Sequence, residues 1–167
     1  MSEPSDVALR ILKGRHVAAL ATQGQDGLIH LTAVWYLYRD GNIYVATSSK
    51  SRKFRNIKSC ATASLMIDTR TPGYEYGLTA CGSASAIEGE EARALNLEIF
   101  ARYLTEKALN DPEVAHFFTS YDDGAIRLSP QSWVTWDMGQ ANDHFFQGKL
   151  STDTGYLYPY AGDSPEG

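Results

Sequence analysis

The chain has 167 residues and a formal net charge of -5, which fits one domain with a buried core and argues against a general attraction to nucleic acid or to an anionic membrane. No apolar run reaches the roughly 20 residues of a membrane-spanning helix, and the N-terminus lacks the basic start and apolar run of a signal peptide, so we expect a cytoplasmic protein. Cys60 and Cys81 lack C-x-x-C spacing and are interpreted as small buried thiols, without a disulfide or a cysteine metal site.

The first part of the chain predicts one short helix and three strands. The helix begins at Pro4 and ends near Gly14, because apolar residues recur at helical spacing between them. Three runs rich in β-branched and aromatic residues follow, separated by turns that contain glycine, asparagine or aspartate. We predict strands at 16–22, 28–38 and 43–47.

The segment 47–58 (TSSKSRKFRNIK) carries five cations and no acid within an acidic chain. Phe54, Ile57 and Ala61 recur at helical spacing, and Ser51 is a good N-cap, so a helix is expected to start here. Cations in its first turn would lie at the positive end of the helix dipole, which costs about 0.3–1 kcal/mol each unless an anion binds there. The hydroxyls and charges at this end predict a phosphate cradle, formed by Thr47, Ser48, Ser49, Ser51, Arg52 and Lys53.

An ordinary interpretation of the same segment remains open. Lysine and arginine on a short helix commonly form a solvated face, and a Thr/Ser/Lys run commonly forms a loop between a strand and a helix.

The second part of the chain predicts strands at 61–68 and 74–87, helices at 88–108 and 112–120, a turn at 122–124, and a last strand at 125–136 interrupted at Pro130. Six antiparallel strands joined by tight turns cover all their edges only by curling into a barrel. The sequence therefore predicts a mainly β fold, a small β-barrel with peripheral helices. Residues 1–137 would form the barrel. Residues 138–167 would form an arm or tail of the same domain, either packed on a surface or partly mobile.

Three stretches carry a resemblance to a known family. Residues 30–38 (HLTAVWYLY), 40–47 (DGNIYVAT) and 51–57 (SRKFRNI) closely resemble the pyridoxamine-phosphate-oxidase-like, FMN-binding split-barrel family. The similarity spans about residues 8–137, and the Ser-Arg-Lys step after a strand that ends in threonine is its most specific part. The resemblance implies a six-stranded antiparallel split barrel, a homodimer, and a flavin at each of two subunit interfaces.

The resemblance also implies roles for individual residues. The flavin phosphate would be held by Thr47, Ser48, Ser51, Arg52 and Lys53. The flavin ring would lie along the strand residues Thr32, Ala33, Val34 and Trp35. Trp136 of the partner subunit would close the pocket; the alternative is a core or interface tryptophan.

Two departures bear on the substrate. Ala33 stands where family members often carry proline, and Trp136 is followed by Asp137-Met138-Gly139-Gln140, without the Arg/His-bearing segment that binds substrate in pyridoxamine-phosphate oxidases. Oxidation of vitamin B6 is therefore not expected. A second branch of the same family that uses the deazaflavin coenzyme F-420 is also similar.

Four functions stay open at this point. The chain could be an FMN-dependent oxidoreductase acting on a small organic substrate, a reductase that uses coenzyme F-420, a non-catalytic flavin-binding protein, or a barrel whose basic helix binds another phosphate ligand. A flavin performs its own hydride chemistry, so no catalytic acid or base is required and none is assigned. His30, Tyr36 and Tyr38 are candidate hydrogen-bond donors or ordinary core residues. The spacing of the four histidines predicts no metal site.

Overall fold

The computed structural model describes residues 3–119 and 124–160. The strands in chain order are β1 (Ala18–Gln23), β2 (Ile29–Val34), β3 (Tyr36–Arg39), β4 (Asn42–Thr47), β5 (Thr62–Asp68), β6 (Tyr76–Glu88) and β7 (Gly124–Asp137). The helices are α1 (Asp6–Lys13), α2 (Arg52–Ser59), α3 (Gly89–Tyr103), α4 (Glu106–Asn110), α5 (Pro112–Thr119) and α6 (Met138–Phe146). No helix within these ranges has the length and apolar character needed to span a membrane.

The strands form one antiparallel sheet in the order β2-β1-β5-β6-β7-β4-β3. β2 and β3 lie at opposite ends of this order although only Trp35 separates them in the chain. The sheet therefore curls until its two ends meet at Trp35. The mainly β architecture with peripheral helices, as in a split barrel, is confirmed.

The sheet has seven strands, so the prediction of six was wrong. The predicted strand 28–38 is divided at Trp35, where the chain passes from β2, paired with β1, to β3, paired with β4. Just after this point, the Tyr36 backbone N–H donates to the Tyr103 hydroxyl of α3 at 3.4 Å. The last strand, in contrast, is continuous through Pro130. Gln131 forms a bulge there, since Pro130 pairs with Gly82 and Ser132 pairs with Cys81.

The barrel core is built from the inward side chains of the strands and closed by α1 and α2. Its largest fully buried members are Ile11, Leu12, Leu20, Tyr36, Ile43, Phe54, Leu65, Ile67, Leu78, Ile126 and Leu128. The tight turn between β3 and β4 explains the register of that pair. Asp40 and Gly41 both have positive φ, 51° and 76°, as a two-residue type I′ hairpin requires.

The helical region between β6 and β7 is divided more finely than predicted. The predicted helix 88–108 ends at Tyr103, because the Thr105 side chain caps a new helix by accepting a hydrogen bond from Ala108 N–H. The predicted turn at 122–124 falls mostly outside the described residues.

The C-terminal tail contains α6, a helix that the sequence interpretation missed. Asn142 of α6 is buried, donates to Leu150 O at 2.8 Å and accepts from Leu150 N–H at 2.9 Å. These bonds hold the following turn against the helix. The tyrosines 156–160 form no strand among the described residues, despite their alternating spacing.

Candidate functional site

The site is organised around the start of α2. Ser51 caps this helix as predicted, because its hydroxyl accepts from Phe54 N–H at 3.3 Å. The Ser51 hydroxyl also lies 2.8 Å from that of Thr47, the last residue of β4. The predicted apolar stripe holds for Phe54 and Ile57 but not for Ala61, which is exposed and lies beyond the helix.

The loop that leads into α2 rests on the start of β7. Thr47 pairs with Gly124 in the sheet, and a side chain at Gly124 would collide with the backbone of Ser48 and Ser49. Asn96 of α3 donates to Gly124 O at 3.0 Å. Packing against the backbone at the start of β7 therefore fixes the loop.

A cavity of about 460 Å³ lies between this loop, β2 and α3, within the range of about 300–1,000 Å³ typical of ligand pockets. Seven of the residues predicted to bind the cofactor line it: Ala33, Val34, Trp35, Thr47, Ser48, Ser51 and Lys53. The structure also brings in residues that the sequence did not indicate: Val17, Ala46, Phe100 and Phe118.

Lys53 is the one ionisable side chain among the residues that line this cavity. It is half-buried, and this burial lowers the pKa of its ammonium group below the ordinary 10.5. None of the ion pairs formed within the described residues includes Lys53. A partly desolvated cation therefore faces the cavity without a counter-ion among the residues that the structure describes.

Arg52 is placed differently from its neighbour. Its guanidinium lies 3.8 Å from the Asp26 carboxylate, with both side chains about half exposed, and it lines a separate polar depression on the other side of α2. An exposed pair at this distance is worth about 0–1 kcal/mol. Of the two predicted phosphate-binding cations, only Lys53 lines the cavity.

Thr32 and Trp136 also lie outside the cavity lining. Thr32 lines a depression that adjoins the cavity at Val17 and Ala33. Trp136 pairs with Gly77, where its ring occupies the space that a side chain would fill. Gly124 and Trp136 lie at opposite ends of β7. Because the cavity is near Gly124, the Trp136 of this chain does not close its own cavity.

The apolar end of the cavity is a group of packed aromatic rings. Trp35 stacks on Tyr103, with ring centroids 4.9 Å apart and planes within 2°, and on Phe118 at 5.7 Å and 20°. Phe118 also packs on Phe100 at 4.8 Å. We call Trp35, Phe100 and Phe118 the aromatic wall. Helices α3 and α5 supply its phenylalanines, and only the three-dimensional packing of these two rings on Trp35 brings them to the cavity.

None of the three candidate donors lines the cavity. Tyr36 is a core residue whose hydroxyl donates to Ile11 O and Gly14 O at 3.2 and 3.1 Å, and burial raises its pKa strongly. Tyr38 packs edge-on against Trp133 near α1. His30 lies on β2 opposite Thr22. Of the two alternatives, Tyr36 is an ordinary core residue, and Tyr38 and His30 do not line the cavity.

The donors at the polar end of the cavity suit a phosphate ester. Three hydroxyls, one ammonium group and a helix N-terminus are all groups that donate hydrogen bonds to phosphate oxygens. No carboxylate lines the cavity to repel such a group. The aliphatic lining residues Val17, Ala33 and Val34 suit a ring system attached to the phosphate.

Comparison with known proteins agrees with the fold. The sequence model of the pyridoxamine 5'-phosphate oxidase family matches residues 5–137. No curated protein matches the sequence significantly.

Three solved structures illustrate the similarity. A conserved hypothetical protein from Mycobacterium tuberculosis is 25% identical with a TM-score of 0.65, over 85% of this chain and 89% of that one. A protein described as an F420 reductase is 20% identical with a TM-score of 0.57, over 79% of this chain and 98% of that one. The heme storage protein HutZ from Vibrio cholerae is 18% identical with a TM-score of 0.58, over 75% of this chain and 89% of that one.

Proposed function

Because the chain belongs to the pyridoxamine 5'-phosphate oxidase family, as the match over residues 5–137 shows, we propose that it binds FMN in the cavity beside α2 and acts as a flavin-dependent oxidoreductase on a small organic substrate. Proteins of this fold differ in what they bind, since the similar structures include one described as an F420 reductase and one described as a heme storage protein. The choice of ligand therefore depends on the residues of this chain.

The observation that carries the proposal is the partial burial of the Lys53 ammonium group beside the cavity. Keeping an ammonium group partly out of water lowers its pKa and costs free energy. No carboxylate of the described residues compensates it. A phosphate group bound at the start of α2 would supply the missing counter-ion.

The remaining cradle residues would orient that phosphate. The hydroxyls of Thr47 and Ser51 lie 2.8 Å apart and hydrogen-bond each other, so the hydroxyl that accepts in this pair keeps its own hydrogen to donate to the anion. The loop backbone is fixed by Gly124 and Asn96, which lowers the ordering cost of binding. When bound, the flavin supplies hydride transfer at its N5 atom.

We also propose that the chain forms a homodimer through the outer face of β2, β1, β5, β6 and β7. One row across this face consists of Ala33, Ala19, Met66, Thr79 and Val134. Its rim is exposed and apolar: Leu31 is 66% and Val134 62% solvent-exposed. A partner on this face would cover the mouth of the cavity at Ala33, and Trp136 lies on the same face, two residues from Val134. Such a dimer supports the assignment of Trp136 to the partner's cavity.

A reductase that uses coenzyme F-420 is the second candidate. The fold similarity to the protein described as an F420 reductase favours it, and the same cradle would take the phosphate of the deazaflavin. The absence of a carboxylate at the cavity does not distinguish the two coenzymes.

Titration of the purified protein with FMN and with coenzyme F-420, followed by absorbance and fluorescence, tests the proposal. We expect saturable binding of FMN. Lys53→Ala should weaken it by about tenfold or more, because a charge-assisted contact is lost. The matched variant Arg52→Ala should change it by less than about threefold, because Arg52 pairs with exposed Asp26. Reduction of bound FMN by NAD(P)H, then reoxidation by added substrate, would establish turnover.

Saturable binding of coenzyme F-420 without binding of FMN would favour the second candidate. Binding of FMN without reduction by any donor would indicate a non-catalytic flavin-binding protein. Failure to bind either coenzyme would contradict the proposal.

A further inference from the structure

We propose that the aromatic wall makes the cavity selective for a flat, conjugated ring without a negative charge, and that Phe118 is a specificity-determining residue. The inference rests on the proposed function, because it concerns the molecule that binds beside the flavin.

The wall is held in place before any ligand binds. Trp35 is packed on Tyr103 and Phe118, and Phe118 is packed on Phe100. The Tyr103 hydroxyl donates to His16 O at 2.7 Å and accepts from Tyr36 N–H at 3.4 Å. Each ring is thus fixed by at least one other ring or by the backbone. Aromatic surfaces prefer to pack against other aromatic surfaces, and a fixed wall binds with little loss of conformational freedom.

The charge distribution of the cavity disfavours an anionic ligand at this end. Lys53 is the one ionisable residue among the lining residues, and it belongs with the hydroxyls at the start of α2. A carboxylate placed against the aromatic wall would lose its water without gaining an opposite charge. An uncharged ring has no such penalty.

The wall and the cradle belong to separate parts of the chain. The cradle comes from the β4–α2 connection, whereas Phe100 and Phe118 come from helices inserted between β6 and β7. A change in Phe118 should therefore alter the binding of the ring while leaving the phosphate contacts intact. This separation distinguishes the present inference from the proposed function.

The test uses the FMN-loaded protein and three probes of similar size: 2-naphthol, which is flat and uncharged; decahydro-2-naphthol, which has the same skeleton but is puckered; and 2-naphthoate, which is flat and charged. Binding is measured by calorimetry and by perturbation of the flavin absorbance. We expect 2-naphthol to bind at least about tenfold more tightly than either of the others.

Phe118→Leu keeps an apolar side chain but removes the ring. It should therefore weaken the binding of 2-naphthol by about three- to tenfold and leave the affinity for FMN within about twofold of the native value. The matched control is Phe145→Leu, since Phe145 is 71% exposed on α6 and does not line the cavity. It should change neither affinity. If Phe118→Leu does not fold, Phe100→Leu provides the same comparison.

Equal binding of 2-naphthol and decahydro-2-naphthol, or unchanged 2-naphthol affinity in the folded Phe118→Leu variant, would overturn the inference while the proposed function stands. Failure of the native protein to take up FMN would overturn the proposed function, and the inference with it.

Discussion

Lys53 illustrates how a binding residue can lower the stability of the free protein. Its side chain is half-buried in the cavity, and the pKa of its ammonium group is lowered because burial penalises the charged form. Between this lowered pKa and the ordinary value of 10.5, the unfolded chain binds more protons than the folded one. The stability of the free protein should therefore rise as pH increases through that interval.

Replacing Lys53 with methionine should stabilise the free protein at neutral pH and weaken its binding of FMN. Methionine fills a similar volume without a desolvated charge, so we expect a rise in Tm of about 1–3 °C. The rise in stability at alkaline pH should be smaller in the variant than in the native protein. Thermal unfolding followed by circular dichroism from pH 7 to 10.5 measures both effects. A lower Tm at neutral pH would show that Lys53 already has a stabilising partner.

At the level of the helices, α3 fixes both α1 and the aromatic wall. Arg102 of α3 donates to Lys13 O at 2.8 Å, to Leu12 O at 3.3 Å and also to Gly14 O. These carbonyls belong to the C-terminal end of α1, where a cation is favoured by the helix dipole and donates to acceptors that lack N–H partners within the helix. Tyr103, the next residue, stacks on Trp35. One turn of α3 thus anchors two neighbouring elements.

Arg102→Met should destabilise the protein by about 2 kcal/mol, because charge-assisted hydrogen bonds to carbonyls are lost. For a chain of this size, that corresponds to a fall in Tm of about 4–8 °C. The matched control is Arg93→Met on the exposed side of the same helix, which should change Tm by less than about 2 °C. Equal effects of the two substitutions in urea or thermal unfolding would show that the contacts to α1 contribute little.

Elements were predictable where the signal is local. The Ser51 cap, the Asp40-Gly41 turn and the Thr47 strand end are set by neighbouring residues, and two of these residues, Ser51 and Thr47, line the cavity. Other features depend on partners far along the chain. The predicted strand 28–38 is divided at Trp35 because its two halves pair with different strands, β1 and β4, and Tyr103 accepts the next backbone N–H.

The same reason explains the errors within the site. Arg52 of α2 pairs with Asp26 of the β1–β2 turn. No spacing in the segment 47–58 indicates this contact. Phe100 and Phe118 look like ordinary apolar residues of two amphipathic helices, and only the packing of those helices on the barrel makes them part of the cavity. The sequence therefore indicated the residues at the polar end of the cavity and not those at its aromatic end.

For the whole molecule, the open question of assembly concerns the outer face of the sheet. The sheet presents small residues in its middle and exposed apolar residues at its rim, among them Ile29, Leu31 and Val134. A contiguous apolar surface of this kind commonly marks a protein–protein interface. The cavity opens beside this face at Ala33, so assembly and FMN binding should be coupled.

Leu31→Glu should convert the protein from a dimer, of twice the 18.4 kDa chain mass, to a monomer, because the substitution places a charge in an apolar contact. FMN affinity should fall at the same time if the partner completes the cavity. The matched control is Leu97→Glu, an exposed leucine on α3 away from the sheet face, which should leave the mass unchanged. Light scattering after size-exclusion chromatography measures the mass. A native protein that is monomeric would contradict the proposed dimer.

The phosphate cradle at the start of α2 is the central claim, and comparison of FMN with riboflavin tests it most directly, since the two ligands differ only in the phosphate. Calorimetry on the native protein and on Lys53→Ala gives both affinities under the same conditions. The account predicts that the native protein binds FMN at least about tenfold more tightly than riboflavin, and that Lys53→Ala removes most of this difference. Equal affinities of the native protein for FMN and riboflavin would contradict it.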